Sequence, residues 1–452
     1  MSVADGVVAG HQAEPEAVRR PDHGRLVLRH CRRQQVLGLS RCDPGGAAAD
    51  RVLLRDRGCG GAGRRLHPDG AAEARRRDQE VRRVTAPSQE QARIAALDGV
   101  RGIAILLVLV MHGLYIGPLL GLDVAAHPYA RLAWLGWSGV DVFFVLSGFL
   151  ITGILVRSKG SRHYFRNFYV RRALRIFPLY YLVIGLLLFV LARPATTGGE
   201  KLSYLLYYQN IRYALFGEQV MDPARLITWS LAIEEQFYLV WPALVALVST
   251  RALRGICLAV IVGAIALRSW LLSEGLAGTH FLTPCRMDAL AAGALLAITP
   301  PPRAVLGWLA TGLGLGGLVA TAWWTGASTP ESLGQQRWGL FAALSLGVGL
   351  LTLARRERRL QWLFTQPMLR SLGKYSYCIY LTHILVIEHL ASYVQHLAPD
   401  TLAALRSEWS PMLTTMAFTI VAIAVSWLVA VVSWQVFERW FLWLKRYFPA
   451  GG

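Results

Sequence analysis

The sequence predicts an all-α fold, a polytopic membrane bundle of about ten transmembrane helices. Hydrophobic residues make up 54% of the 452 positions and charged residues only 17%, and the mean hydropathy is +0.39. These values are unusual for a soluble enzyme and typical of a multi-pass membrane protein. Apolar runs recur from residue 100 to the end of the chain, and basic residues concentrate in the segments between them.

Ten apolar segments are long enough to be predicted as membrane spans, although several lie near the lower length limit. They cover residues 100–120, 137–156, 176–191, 229–248, 255–272, 284–298, 304–324, 338–354, 371–390 and 411–436. An eleventh apolar stretch at residues 202–216 is predicted to be a surface or re-entrant helix instead.

The distribution of Lys and Arg predicts the orientation of these spans. With ten spans and a cytoplasmic N-terminus, the segments on the inner side hold 18 Lys and Arg residues and those on the outer side hold 7. This excess follows the positive-inside rule. An eleventh span would move the arginines at 355–359 to the outer side, so ten spans and a cytoplasmic N-terminus are favoured.

The first 92 residues differ from the remainder, since they are rich in Arg, Gly and Ala and have no helical or strand periodicity. They are predicted to be disordered, or to result from a wrongly assigned translation start. A membrane domain is predicted over residues 93–446, followed by a short tail at 447–452. The net charge of +19 reflects this leader and the loops, so no nucleic-acid partner is predicted. The six cysteines form no CxxC pair, so neither a metal site nor a disulfide framework is predicted.

The first span carries ionisable residues within an apolar run. Asp98 precedes Arg101 by three positions, and His112 follows Arg101 by eleven. At about 100° and 1.5 Å per residue, all three lie near one helix face, with His112 about 16 Å deeper than Arg101. Ionisable groups at such depth are costly unless they face a cavity or a partner, so the pattern indicates a functional site. A histidine hydrogen-bonded within the bundle is the structural alternative.

Other polar residues lie near both ends of the predicted spans. Arg171, Arg172 and Arg175 either anchor the protein to anionic lipid or bind the phosphates of a donor. Glu234 and Glu235 either cap a helix or contact substrate, and Arg286 either pairs with Glu234 or Asp141 or contacts substrate. The outer group is predicted to hold Asp141, Glu234, Glu235, Arg268, Arg286 and Asp288, with His383 near mid-depth.

Taken in order, these motifs resemble the bacterial acyltransferase-three family of multi-pass membrane O-acyltransferases. The likeness covers residues 95–446. It rests on Asp98-Gly-x-Arg101-Gly with His112 and on the stretches 139–151, 171–181, 229–238, 286–293 and 372–383.

The resemblance implies transfer of an acyl group, usually acetyl, from cytoplasmic acyl-CoA to a hydroxyl of a carbohydrate or glycoconjugate at the bacterial inner membrane. His112, Arg101 and Asp98 are then expected to be catalytic, and Arg171, Arg172 and Arg175 to bind the donor. Asp141, Glu234, Glu235, Arg286, Asp288 and His383 are expected on the acceptor side. His112 would act as general base or carry the acyl group itself. No bound cofactor is expected. The expected partners are acyl-CoA as co-substrate, a carbohydrate or lipid-linked glycan acceptor, and the bilayer.

Two other functions stay open at the level of sequence. A secondary transporter would use His112 as a proton relay, although the two halves show no evident inverted repeat. A structural or lipid-scaffolding protein would leave the intramembrane charges without a purpose.

Overall fold

The computed structural model describes residues 89–124, 127–191, 197–217, 222–397, 399–408 and 410–449. Every regular element within these ranges is helical, and the described residues contain no strand. The all-α prediction is therefore confirmed. Residues 1–88 of the leader lie outside the described residues, and residues 89–92 already belong to the first helix.

Ten long helices, numbered here α1–α10, form the body of the protein. They are α1 Gln89–Gly113, α2 Ser138–Ser158, α3 Tyr164–Gly185, α4 Trp229–Leu247, α5 Thr250–Ser273, α6 Thr283–Ile298, α7 Ala304–Thr325, α8 Leu340–Arg356, α9 Pro367–Leu397 and α10 Pro411–Ser433. Shorter helices are Ile116–Leu119, Pro128–Trp134, Gly198–Leu205, Gln209–Phe216, Pro223–Leu226, Arg358–Phe364, Pro399–Glu408 and Arg439–Trp443. Single turns of 3₁₀- or π-helix occupy Leu135–Trp137, Leu186–Val190, Ala277–Phe281, Gln335–Gly339, Trp434–Glu438 and Leu444–Tyr447.

Each of the ten predicted spans is helical, and eight helices among the described residues are long and apolar enough to cross a membrane. The two others are α4, which carries Glu234 and Glu235, and α6, which carries Arg286 and Asp288. With 16 residues, α6 is about 24 Å long and shorter than a typical hydrocarbon core of about 30 Å. Most of its side chains are buried, so other helices surround it.

The stretch at 202–216 is not a span. It forms parts of two eight-residue helices, Gly198–Leu205 and Gln209–Phe216, each about 12 Å long. The decision against an eleventh span is confirmed. The predicted start of the third span, at residue 176, is wrong by twelve residues, because α3 begins at Tyr164. Arg171, Arg172 and Arg175 therefore lie within a helix.

Glycines let two pairs of helices approach closely, as is common between membrane helices. A methyl group on Gly102 of α1 would collide with the Leu369 carbonyl of α9, and one on Gly373 of α9 would collide with the Asp98 carbonyl. Between α2 and α6, Gly148 and Gly293 lie against backbone in the same way. These contacts bring the polar residues of the first helix beside those of α9, and those of α2 beside those of α6.

Candidate active site

Two histidines on neighbouring helices form a hydrogen-bonded pair. His383 Nε2 lies 3.0 Å from His112 Nδ1, and the ring centroids are 4.8 Å apart. The His383 ring is fully buried, whereas His112 is half-buried and stacks on Tyr115 at 5.7 Å. The His112 ring thus packs against α9 rather than against lipid.

Backbone contacts assign the protons of this pair. His383 Nδ1 lies 2.8 Å from the Tyr380 carbonyl oxygen and 3.1 Å from that of Ile379. Because a carbonyl oxygen only accepts, Nδ1 of His383 carries a proton and its Nε2 is an acceptor when the ring is neutral. His112 must then donate from Nδ1. Its Nε2 is left unprotonated, and this is the atom that can accept a proton from a substrate.

His112 faces a cavity, called here the histidine pocket. Six of its lining side chains are large aromatic groups, and its polar lining residues include Glu331 and the buried His280 and Arg286. The residues concerned are His112, Tyr115, Trp134, Trp137, Trp229, His280, Phe281, Arg286, Glu331 and Tyr380. Aromatic faces with a few polar groups between them suit an amphipathic ligand such as a sugar ring.

A second cavity, called here the arginine pocket, has a different character. Its polar lining residues are Arg101, Ser147, Arg172, Arg175, Ser230, Glu234, Tyr238, Tyr377 and Tyr380. Arg101 donates to Asp98 at 3.0 Å, which confirms that these two residues share one face of α1. No carboxylate in the described part of the chain lies within ion-pairing distance of Arg172 or Arg175.

Glu234 lies in the arginine pocket beside Ser147 and Tyr238, whose hydroxyl groups hydrogen-bond to each other, and its carboxylate is within electrostatic range of Arg101 and Arg172. Glu235 is also within electrostatic range of Arg172. Glu234 and Arg286 line different cavities, because α4 directs Trp229 into the histidine pocket and Glu234 into the arginine pocket. The acceptor-side role of Glu234 and Glu235 stays a prediction. Ser147 and Tyr238 were not foreseen, since hydroxyl groups in apolar runs carry no distinctive pattern.

The two pockets adjoin at Val140 and Tyr380, which line both. The Tyr380 hydroxyl donates to the Ile227 carbonyl at 2.9 Å and accepts from Ser230 at 2.7 Å. Its backbone carbonyl holds the proton of His383 Nδ1. Tyr380 therefore links the partition between the pockets to the histidine pair, although no sequence pattern distinguishes it from the other tyrosines.

The remaining predicted acceptor-side acids are engaged in buried ion pairs. Asp141 of α2 pairs with Arg286 of α6 at 2.8 Å, and Asp288 of α6 pairs with Arg268 of α5 at 2.9 Å. All four side chains are at most 2% exposed. Asp141, Asp288 and His383 do not line the histidine pocket, and their place on the acceptor side stays a prediction. Arg286 does line it, and its partner is Asp141 rather than Glu234.

Arg171 is directed away from its two neighbours. Its Nη1 donates to the backbone carbonyls of Lys445 at 3.1 Å and Phe448 at 2.8 Å. It lines neither the arginine nor the histidine pocket. The predicted role in donor binding stays a prediction for all three arginines, but the Arg171 guanidinium is already engaged by two backbone carbonyls, whereas Arg172 and Arg175 line the arginine pocket.

His280 lies in the turn Ala277–Phe281 and was not singled out from the sequence. Its side chain is 3% exposed and lines the histidine pocket. Burial lowers the pKa of His280 to about 3, and the positive charge of Arg286 adds to this effect. The ring is therefore neutral at physiological pH and able to accept or donate one hydrogen bond.

Metal-binding residues are not grouped in the described part of the chain, where no three His, Cys, Asp or Glu side chains could hold an ion together. Cys257, Cys285 and Cys378 are buried free thiols.

Among known protein families, the one described as an acyltransferase domain, and numbered three among families of that name, matches residues 94–431. The chain belongs to this acyltransferase family. The match covers α2–α9, nearly all of α1, and α10 as far as residue 431, and so includes both pockets.

Relatives with curated descriptions belong to bacteria. A putative peptidoglycan O-acetyltransferase of Bacillus subtilis is 36% identical over 169 residues, which cover 34% of this chain and 24% of the relative. The peptidoglycan O-acetyltransferase OatA of Listeria monocytogenes is 29% identical over 65% of this chain and 49% of its own length. A putative O-acetyltransferase of Staphylococcus aureus is 26% identical over 66% of this chain and 52% of its own length. The chain thus spans about half or less of these relatives. No solved structure matches it.

Proposed function

We propose that this protein is an integral membrane O-acyltransferase that moves an acetyl group from acetyl-CoA to a hydroxyl of a glycan. One observation carries the proposal: a cationic pocket and an aromatic pocket adjoin at Val140 and Tyr380, with an imidazole lone pair in the aromatic one. Membership of the acyltransferase family supports group transfer, and the names of the relatives support acetyl as the group and a cell-wall glycan as the acceptor.

The arginine pocket suits the donor. Arg172 and Arg175 are free to bind phosphate oxygens with paired N–H groups. Arg101, held by Asp98, would orient the donor closer to the partition. The apolar wall of the same pocket, which includes Phe143, Leu146 and Leu150, would cover the pantetheine arm and the acyl chain.

The histidine pocket suits the acceptor. Its tryptophans and Tyr115 offer flat apolar faces for the C–H groups of a sugar ring, and Arg286 and His280 offer polar contacts for hydroxyl groups. The acceptor hydroxyl would then be placed next to His112.

The reaction follows from the proton assignment. His112 Nε2 removes the proton of the acceptor hydroxyl as the oxygen attacks the thioester carbonyl carbon. The carbon–sulfur bond then breaks, and the thiolate of CoA takes the proton from the imidazolium. His383 keeps Nδ1 of His112 occupied throughout and so directs Nε2 at the substrate. Attack by Nε2 on the thioester is the other route, and it would leave an acetyl-imidazole on the protein.

We place the protein in the bacterial inner membrane with its N-terminus and arginine pocket on the cytoplasmic side. The charge distribution of the loops and the location of acyl-CoA both support this orientation.

The proposal is tested with purified protein in lipid nanodiscs supplied with acetyl-CoA that carries a labelled acetyl group. We expect CoA release that depends on an added glycan fragment, together with label on that fragment. A strain without the gene should lose an acetyl mass from its cell-envelope glycans. Uptake of solute into proteoliposomes with no release of CoA would instead support a transporter and contradict the proposal.

Rapid quenching in neutral denaturant, followed by mass spectrometry of the intact protein, separates the two chemical routes, because an acetyl-imidazole is labile in acid. The general-base route predicts no acetyl label on the protein before acceptor is added. Stoichiometric labelling of His112 would instead support the acyl-histidine route and contradict the general-base route.

A further inference from the structure

The segment after α10 lies against α3 and is fixed there by its backbone. Arg171 donates to the Lys445 and Phe448 carbonyls, and Asn167 Nδ2 donates to the Pro449 carbonyl at 3.0 Å. The Arg166 guanidinium lies 5.8 Å from the centre of the Phe448 ring. Side chains on successive turns of one helix therefore determine where this segment lies. We call residues 445–449 the tail segment.

The tail segment brings a fourth cation to the basic cluster of α3. The half-buried Lys445 side chain is within electrostatic range of Arg171, Arg172 and Arg175. None of the described carboxylates forms an ion pair with Lys445, Arg172 or Arg175. The nearest acids in electrostatic terms are Glu438 and Glu235.

Four positive groups against two more distant acids leave an excess of positive charge. Like charges in a partly buried setting repel more strongly than in water. Holding Lys445 next to the arginines therefore opposes stability unless an anion binds between them. An anchor for the bilayer would not need this arrangement, because exposed lysines serve that role without being fixed beside other cations.

A small cavity lies at the same place. It is lined by Ser158, Ser161, Asn167, Arg171, Arg172 and Pro449. Arg172 lines both this cavity and the arginine pocket, so its guanidinium group lies between the two. Hydroxyl, amide and guanidinium groups are the donors that phosphate oxygens prefer.

We propose that the tail segment completes a phosphate-binding site, in which Lys445 binds a phosphate ester together with Arg172 and Arg175. Arg171 is a positioning residue that holds the tail segment by its backbone. The assignment of the phosphate to the nucleotide end of CoA rests on the proposed function. A phospholipid headgroup offers the same chemistry and is the second source to be tested.

The experiment measures CoA binding to the full-length protein in nanodiscs of phosphatidylcholine, by calorimetry at several salt concentrations. We expect Lys445→Ala to weaken binding about tenfold, equal to about 1.4 kcal/mol, and to reduce its salt dependence. Lys445→Arg should keep wild-type affinity. Arg439→Ala is the matched control, because Arg439 is an exposed cation outside the tail segment and donates to Gln435 at 3.1 Å. It should bind CoA as the wild type does.

Arg171→Met tests the positioning role. It should weaken CoA binding by a similar factor, and the double variant with Lys445→Ala should be no weaker than either single one, since both remove the same contact. Additive losses would overturn the positioning role.

Nanodiscs containing phosphatidylglycerol distinguish the two sources of phosphate. If the headgroup is the ligand, CoA affinity of the wild type falls as this lipid is added, and that of Lys445→Ala does not. A wild type that binds no CoA in phosphatidylcholine, but retains labelled phosphatidylglycerol more tightly than Lys445→Ala does, would contradict the proposed donor and keep the phosphate site. If the wild type binds CoA and Lys445→Ala matches it in both lipids, the tail site is wrong and the donor assignment stands.

Discussion

The arginine pocket and the histidine pocket adjoin each other but differ in the charge of the groups that line them. In the arginine pocket, Arg172 and Arg175 form no ion pair with any carboxylate of the described residues, so the pocket is suited to an anion. In the histidine pocket, the lining cation Arg286 is neutralised by Asp141, and the reactive group is a neutral imidazole. The difference indicates that one pocket binds a charged donor by electrostatics, and the other positions a neutral hydroxyl for proton transfer.

The sharpest way to break this comparison is to remove the imidazole. His112→Gln should lower kcat for acetyl transfer by about 100- to 10,000-fold, because the general base is lost, while Kd for CoA stays near the wild-type value. Single-turnover transfer and calorimetry measure the two quantities. Wild-type turnover in this variant would eliminate His112 as the base.

The second variant tests the arginine pocket. Arg172→Ala should raise the Kd and KM for acetyl-CoA by roughly 10- to 100-fold, since a charge-assisted hydrogen bond contributes about 1.5–3 kcal/mol. The kcat at saturating donor should change far less. Arg212→Ala is a suitable control, because Arg212 lies outside both pockets and near the Phe216 ring. A large fall in kcat with unchanged donor binding would place Arg172 in the chemistry instead.

The third variant asks whether His383 acts through His112. Replacing His383 with Phe removes the acceptor for Nδ1 of His112, so both tautomers of His112 become populated. We expect kcat to fall about 10- to 100-fold, as for other residues that orient a reactive imidazole, with KM for the donor unchanged. His383→Gln offers an amide oxygen to Nδ1 and should recover part of this loss. If both variants lose activity equally and unfold at the same lower temperature, the role of His383 is in packing alone.

The smallest expected effect concerns stability below neutral pH. Since burial lowers the pKa of His280 to about 3 and the pKa of the unfolded side chain is near the ordinary value of 6.5, only the unfolded state takes up the proton between these values. Stability is therefore greatest above pH 6.5 and declines as the pH falls, by about 2 kcal/mol at pH 5 from this residue. Thermal unfolding at pH 8 and pH 5 should show a smaller difference for His280→Gln than for the wild type. An equal difference in both proteins would contradict the shifted titration.

The sequence was most informative where one helix carries the pattern. The spacing of Asp98, Arg101 and His112 correctly predicted one polar face of α1, because helical periodicity is a local property. The ion pair of Asp98 with Arg101 follows from the same spacing. The ten apolar segments were located because apolar composition alone decides which segments become buried helices.

Prediction was poorer for the pocket that each side chain lines, because this had to be inferred from position along the chain. Glu234 lies only five residues after Trp229, yet these two side chains line different pockets, since successive positions of a helix point in different directions. Arg171 and Arg172 are adjacent, and for the same reason only Arg172 lines the arginine pocket.

The sequence by itself determined the helical membrane architecture, the polar face of α1 and a set of motifs that resemble one family. Only the tertiary structure decided that His112 bonds to His383 across 271 positions, that Asp141 neutralises Arg286, and that the tail segment lies on Arg171. The physical reason is that helix formation depends on neighbours in the chain, whereas these pairings depend on how glycine contacts such as Gly102 with Leu369 align separate helices.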